Sequence, residues 1–237
     1  LLTSMEGTPP SPNNNLFKNQ SCLASHLAKV LGKPGRSVLI FVDGMDSIQQ
    51  IVGKFDELKK RTARGGGGRK QYRVLAIHSS IPDEVQKEAL RKADNQNVVT
   101  IVIATNAASS SITLPECDNV ICLGTEKRIE FNARRNETCL VKGWISRANA
   151  VQRAGRTARV CPGTVWRLYT QQVLETFDPH DPPEMLQQSL DYVMLTIRSK
   201  LHCPVLPVLA NVITPPSETQ YQPAFDSLYS MGFFTDN

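Results

Sequence analysis

The sequence predicts an α/β fold: a parallel sheet flanked by helices, with an inserted β-hairpin and a small, mostly helical segment after it. Three observations carry that prediction. Continuous apolar runs at Ser37–Val42 (SVLIFV) and Val98–Ala104 (VVTIVIA) have the composition of strands buried on both faces. Amphipathic stretches of helical period lie between such runs, the pattern of right-handed βαβ crossovers. The composition, 41% hydrophobic and 21% charged over 237 residues, suits a globular chain that buries a core without disulfides or metals.

Each element follows in order. Residues 1–20 hold a run rich in Thr, Pro, Ser and Asn and are expected to form a flexible lead-in. Asp46–Lys60 places Ile48, Ile51, Val52, Phe55 and Leu58 at helical spacing. Arg73–Ile77 is read as a second strand and Pro82–Lys92 as a helix with Pro in its first turn. Val98–Ala104 and Asn119–Leu123 are the third and fourth strands. Ligands of such sheets bind beyond the carboxyl ends of the strands, so the loops after Ala104 and Leu123 are the places to look for function. Lys127–Val141 reads as a β-hairpin whose basic tip holds Arg134 and Arg135. The first domain is read as residues 21–177. Asp178–Pro183 (DPHDPP) opens a second module over 178–237. There Glu184–Leu201 carries Met185, Leu186, Leu190, Val193, Met194 and Ile197 on one helical face. A second helix lies within Ser217–Phe233.

Several function classes are excluded. No apolar run of roughly 18 residues exists, so no membrane span is expected. The six cysteines form no CxxC pair and the four histidines no HxxxH or HExxH spacing, so no metal site is expected. The cysteines are read as reduced thiols of an intracellular protein, with nucleus and cytoplasm both open. The amino end has no signal-peptide pattern and no initiating Met, and the chain is expected to be part of a longer protein. The net charge of +5 is mild but unevenly placed. Residues 127–167 hold ten Lys/Arg against two Glu, and residues 54–73 hold eight against two acids. Arg61–Lys70 (RTARGGGGRK) lacks the GK[ST] of a P-loop and is read as a solvated insert.

The chemistry concentrates in Trp144–Thr170 (WISRANAVQRAGRTARVCPGTVWRLYT). Ser146 can cap a helix running to about Val160, with Pro162–Gly163 stopping it. On that helix Gln152, Arg156 and Arg159 fall at i, i+4 and i+7 and share one face, with Arg153 turned away. Two arginines can stabilise charge on a transferred phosphoryl group while a glutamine orients the attacking water. The alternative is a solvated basic helix face.

The string Gln152–Arg159 (QRAGRTAR) closely resembles motif VI of superfamily 2 helicases, in the DEAH/RHA branch. Ala104–Leu114 (ATNAASSSITL) is similar to motif V, Ser37–Gly44 to motif IV, and His78–Gln86 to the motif that follows it. The resemblance covers residues 20–237 or so and implies a second RecA-like domain followed by the start of a winged-helix domain. It implies Arg156 and Arg159 as arginine fingers and Gln152 as the water-positioning glutamine, with Thr113 and Leu90 also near the nucleotide. It implies RNA-backbone contacts from His78, Ser79, Ser80, Thr105, Asn106 and the hairpin arginines Arg134 and Arg135. Such contacts hold phosphates without reading bases. The implied ligands are ATP with Mg²⁺, both held mainly with a first RecA-like domain. The implied partners are single-stranded or structured RNA and an activating protein, and a monomer is expected. This sequence departs from the family pattern at Ser109 and Ser110 (Glu and Thr in the family), Pro115 (Asp), Ala158 (Gly) and Leu90 (an aromatic). In a helix, Ala158 would be favoured over Gly by about 1 kcal/mol. Two rivals to the helicase stay open: a catalytically degenerate RNA-binding scaffold, and a basic docking face for an acidic protein.

Overall fold

The structure, a computed structural model, describes residues 19–63, 70–89, 91, 95–106, 114–132 and 137–234. In chain order its elements are α1 (Gln20–Leu31), β1 (Ser37–Phe41), α2 (Met45–Ala63), β2 (Gln71–Ile77), α3 (Asp83–Ala89), β3 (Val98–Ala104), β4 (Cys117–Cys122), β5 (Thr125–Asn132), β6 (Glu137–Trp144), α4 (Arg147–Ala154), β7 (Thr164–Arg167), α5 (Gln171–Glu175), α6 (Asp191–Thr196), α7 (Val205–Ala210) and α8 (Glu218–Ser230). They form two compact units: residues through Lys127 with Lys142–Asp181, and Arg128–Val141 with Pro182–Asn237.

The first unit is built on a five-stranded sheet of order β2-β3-β1-β4-β7, parallel at every pairing. Successive side chains of a strand point to opposite faces, and here both faces are covered. Val38, Ile40, Val42, Val99, Ile101 and Ile103 pack on one side with Ala24, Ala28, Ile48, Ile51 and Phe55 of α1 and α2. Leu39, Phe41, Val102, Ala104, Val120 and Cys122 pack on the other with Ile145, Ala150, Tyr169, Val173 and Phe177. That double burial, at about 1.5–3 kcal/mol per fully buried large side chain, is why these runs are apolar throughout.

Two elements go beyond the sequence reading. Helix α1 begins at Gln20, within the expected lead-in. The Gln20 side chain is buried and its amide donates to the carbonyls of Leu123 (3.1 Å) and Leu168 (3.0 Å), bridging the chain beyond β4 and β7. The strand β7 adds a fifth member beside β4. The hairpin is present as β5 and β6, which pair only with each other among the described residues.

In the second unit the expected long helix over 184–201 is interrupted. Glu184–Leu186 is a single 3₁₀ turn. The Ser189 hydroxyl then accepts the Asp191 N–H at 3.3 Å and a new helix, α6, starts there. It continues as a π turn over Ile197–Leu201 and stops at His202, whose φ is 52°. Leu190, Met194, Ile197, Val205, Leu209, Ala224 and Leu228 share one core. Among the described residues no helix is long and apolar enough to cross a membrane.

Candidate nucleotide and nucleic-acid site

The carboxyl ends of the parallel strands carry the candidate residues. His78 follows β2. Its Nδ1 accepts the Ser80 N–H at 3.1 Å and lies 2.7 Å from the Ser80 hydroxyl. A neutral ring therefore carries its proton on Nε2. Ser79 and Ser80 are exposed. Thr105 follows β3, is buried, and donates its N–H to the Ile77 carbonyl at 3.2 Å. Thr113, Leu90, Arg134, Arg135, Ser109 and Ser110 lie outside the described residues.

Asn106 is held from both ends. Its carbonyl oxygen accepts from Arg153 Nε (3.0 Å) and from a terminal guanidinium nitrogen (2.7 Å), while its amide donates to the Glu126 carboxylate. Arg153, on α4, is completely buried. The nitrogen that bonds Asn106 also donates to the Thr125 carbonyl at 3.2 Å, and the guanidinium stacks 5.1 Å from the Phe41 ring centroid. Asn149, one turn earlier on α4, donates to Glu126 at 3.5 Å and to Asp181 at 2.7 Å. The loop after β3, the base of the hairpin and the helix carrying Gln152 are thus one polar cluster. Sequence reading missed Arg153, Glu126 and Asn149 as its members. The available signal was that Arg153 stands three residues after the inward-facing Ala150, on the buried side of α4.

The helix capped by Ser146 forms as expected, with the Asn149 N–H donated to the Ser146 hydroxyl at 3.1 Å. It ends at Ala154, however, and not near Val160. Residues 155–161 turn and bend, so Gln152 is on the helix while Arg156 and Arg159 are on the turn after it. The cause is tertiary. The Thr157 hydroxyl donates to the Cys117 carbonyl at 2.8 Å, pulling the chain onto the sheet. A Cβ on Gly163 would lie 1.8 Å from the Thr157 hydroxyl oxygen, so glycine is needed for this approach. Ala158 has φ 60°, in the left-handed region, so its methyl costs stability here and does not favour a helix. Gln152 and Arg159 are exposed and Arg156 is buried. Burial and the neighbouring Arg159 charge both push the Arg156 guanidinium below its ordinary value. Arg159 donates its Nε proton to the Gly155 carbonyl at 2.9 Å.

Much of the basic charge of residues 127–167 is internal. Arg153 is buried, Lys127 pairs with Asp46 at 2.9 Å, Lys142 with Asp43 at 2.7 Å, and Arg128 with Glu130 at 2.9 Å. The excess read from the sequence is therefore only partly available to an anion. All six cysteines are free thiols; burial first, then the Asp118 charge, pushes the Cys117 thiol up to about 12. Among the described residues no three His, Cys, Asp or Glu are grouped to hold a metal.

Comparison with known proteins bears on the family and the fold. Residues 20–161 match the family model of the helicase conserved C-terminal domain. The chain is 31% identical over 230 residues to the DExH-box ATP-dependent RNA helicase DExH3 of Arabidopsis thaliana, covering 97% of this chain and 18% of that protein. It is 32% identical over 173 residues to the human ATP-dependent RNA helicase DHX30, covering 73% and 14%. The chain thus spans about a fifth or less of the length of the curated relatives it matches. In fold it resembles the Escherichia coli DExH-box NTPase HrpB, with a TM-score of 0.77 at 23% identity, over 95% of this chain and 26% of that one.

Proposed function

The chain belongs to the helicase conserved C-terminal domain family, in its DEAH/RHA branch, and from that premise we propose that it is the second motor domain of an ATP-dependent RNA helicase. The observation that carries the reading is the placement of Gln152, Arg156 and Arg159 at the end of α4 and on the turn after it, with the two arginine charges close enough to disfavour one another. A polyphosphate between them relieves that repulsion. The residues therefore fit an ATP phosphate tail. ATP supplies the phosphoryl group whose transfer to water drives the cycle. Arg156 and Arg159 stabilise the charge that develops on that group, and Gln152 orients the water. Thr113 and Leu90 are proposed to lie beside the nucleotide.

A first RecA-like domain is proposed to supply the P-loop lysine and the carboxylates for Mg²⁺, since no GxxxxGK[ST] occurs in this sequence. This domain alone is then expected to show no ATPase. RNA is proposed to run along the strand ends, held at its phosphates by His78, Ser79, Ser80, Thr105 and Asn106 and gripped by Arg134 and Arg135. The Asn106 side chain is presented in one orientation because Arg153 and Glu126 fix its two ends.

In the full-length protein Arg156→Ala should lower RNA-stimulated ATP turnover by roughly 10³-fold, the scale of an arginine finger, with RNA affinity little changed. Equal loss of turnover and RNA binding contradicts the finger role. One observation favours a second reading, a catalytically degenerate RNA-binding scaffold. Ala158 occupies a left-handed position where the family has Gly. RNA binding by the full-length protein with no RNA-stimulated ATPase would select the scaffold.

A further inference from the structure

The hairpin is held at its base by side-chain bonds. Among the described residues its strands β5 and β6 share no ladder with the five-stranded sheet. Two lysines at its base tie to a single loop. Lys142 of β6 donates to the Asp43 carboxylate at 2.7 Å, and Lys127 of β5 donates to Asp46 at 2.9 Å. Asp43 ends the run that follows β1, and Asp46 lies in the first turn of α2. The Asp43 side chain is 6% exposed and also accepts from the Ser47 hydroxyl, whereas Asp46 is 77% exposed. Between the two acids stands Gly44, where a Cβ would come within 3.1 Å of the Lys127 stem, so the lysine passes directly over the backbone. Lys127 and Lys142 are also the residues at which the hairpin leaves the first compact unit. Burial pushes the Asp43 carboxyl up, but the Lys142 bond and charge and the Ser47 hydroxyl outweigh it and hold the carboxyl below its ordinary value. Asp43 is therefore ionised opposite its lysine at neutral pH.

We propose that Asp43, acting through Lys142, is a positioning residue that latches the hairpin base to the loop beyond β1, with Asp46–Lys127 as a weaker second tie. The latch holds the hairpin base, residues 125–127 and 142–144, against the loop that leads into α2. This rests on the reading of the hairpin as the part that grips RNA. The unequal burial of the two pairs sets their order of importance, because a partly buried ion pair loses more than an exposed one when a partner is removed.

The test uses the full-length protein with Asp43→Asn, Lys142→Met and the double variant, and Asp46→Asn as the milder case. Hydrogen exchange at the hairpin-base amides, residues 125–127 and 142–144, is expected to speed up about tenfold in each of the first two. Exchange in β1 and β3 should not change. The double variant should be no faster than either single one, because both remove the same bond. Additive acceleration, or none, overturns the latch. RNA-stimulated ATPase should stay within about twofold while base pairs unwound per ATP fall about fivefold, the scale of an altered coupling. Faster exchange with unchanged unwinding per ATP overturns the positioning role. A wild-type protein that shows no ATPase refutes the helicase reading alone, and the exchange result still decides whether the latch exists.

Discussion

Helix α4 and the turn that follows it, residues 155–161, carry arginines of opposite fates. Arg153 points into the protein and joins Asn106, Thr125 and Phe41 with no exposed surface. Arg156 and Arg159 stand a few residues on, on chain that is no longer helical. The first region uses a guanidinium as a fixed five-donor bracket for the loop after β3. The second holds two like charges near one another, which the proposed function assigns to an ATP phosphate tail. Residue type says nothing about which role an arginine has; the backbone on either side of Gly155 decides it.

The largest effect that separates the regions is on stability. Arg153→Ala should destabilise the chain by about 3–5 kcal/mol, because it removes a fully buried side chain and leaves the Asn106 and Thr125 carbonyls without their donor. Arg156→Ala should cost less, about 1–3 kcal/mol, because its side chain is buried but keeps some exposed surface. Denaturant unfolding of the two variants measures the gap. Equal losses would show that Arg156 is also a structural bracket and would weaken the assignment of the turn to phosphate.

How much of this the sequence carries can be seen in the same segment. The cap at Ser146 and the hairpin before it are legible because their signals are local: a hydroxyl at a helix start, and alternating strands around a polar centre. The parallel strands are legible from their unbroken apolar runs. The end of α4 is not. The residues QRAGRTAR have helical spacing, and Ala158 has the best helix propensity of any residue. What ends the helix is the Thr157 bond to Cys117, 40 residues away in sequence. Gln152, Arg156 and Arg159 therefore do not share one helical face, although their spacing predicts it. Arg153 is legible as inward-facing, but its partners Thr125 and Asn106 lie 28 and 47 residues earlier, and no local pattern pairs them. Likewise β7 is only four residues, TVWR, and largely exposed or half-buried, so it lacks the apolar run that marks a central strand.

A smaller effect tests the anchoring of the turn. Gly163→Ala places a methyl where the Thr157 hydroxyl sits and 3.0 Å from the Asp118 carbonyl. Thr157 must rotate and give up its bond to Cys117, which should cost about 1–3 kcal/mol. Thr157→Val removes the same bond without the clash, so the two changes together should cost less than their sum. Strict additivity in thermal unfolding would mean that Thr157 does not anchor the turn, and the contrast with α4 would lose its cause.

The smallest effect has the opposite sign. Ala158 sits at φ 60°, where a Cβ meets the following carbonyl oxygen at a cost of roughly 1–2 kcal/mol. Ala158→Gly removes that strain but gives the unfolded chain more freedom, which offsets about 0.4–1 kcal/mol. The net expectation is a gain of up to about 1.6 kcal/mol, a rise of a few degrees in the unfolding temperature. The sign is what matters. In a helix the same substitution would lose about 1 kcal/mol, so a lowered unfolding temperature would mean that α4 continues through residue 158 in solution. Gln152, Arg156 and Arg159 would then share a helical face after all, and the two arginine environments would differ by side of one helix and not by its end.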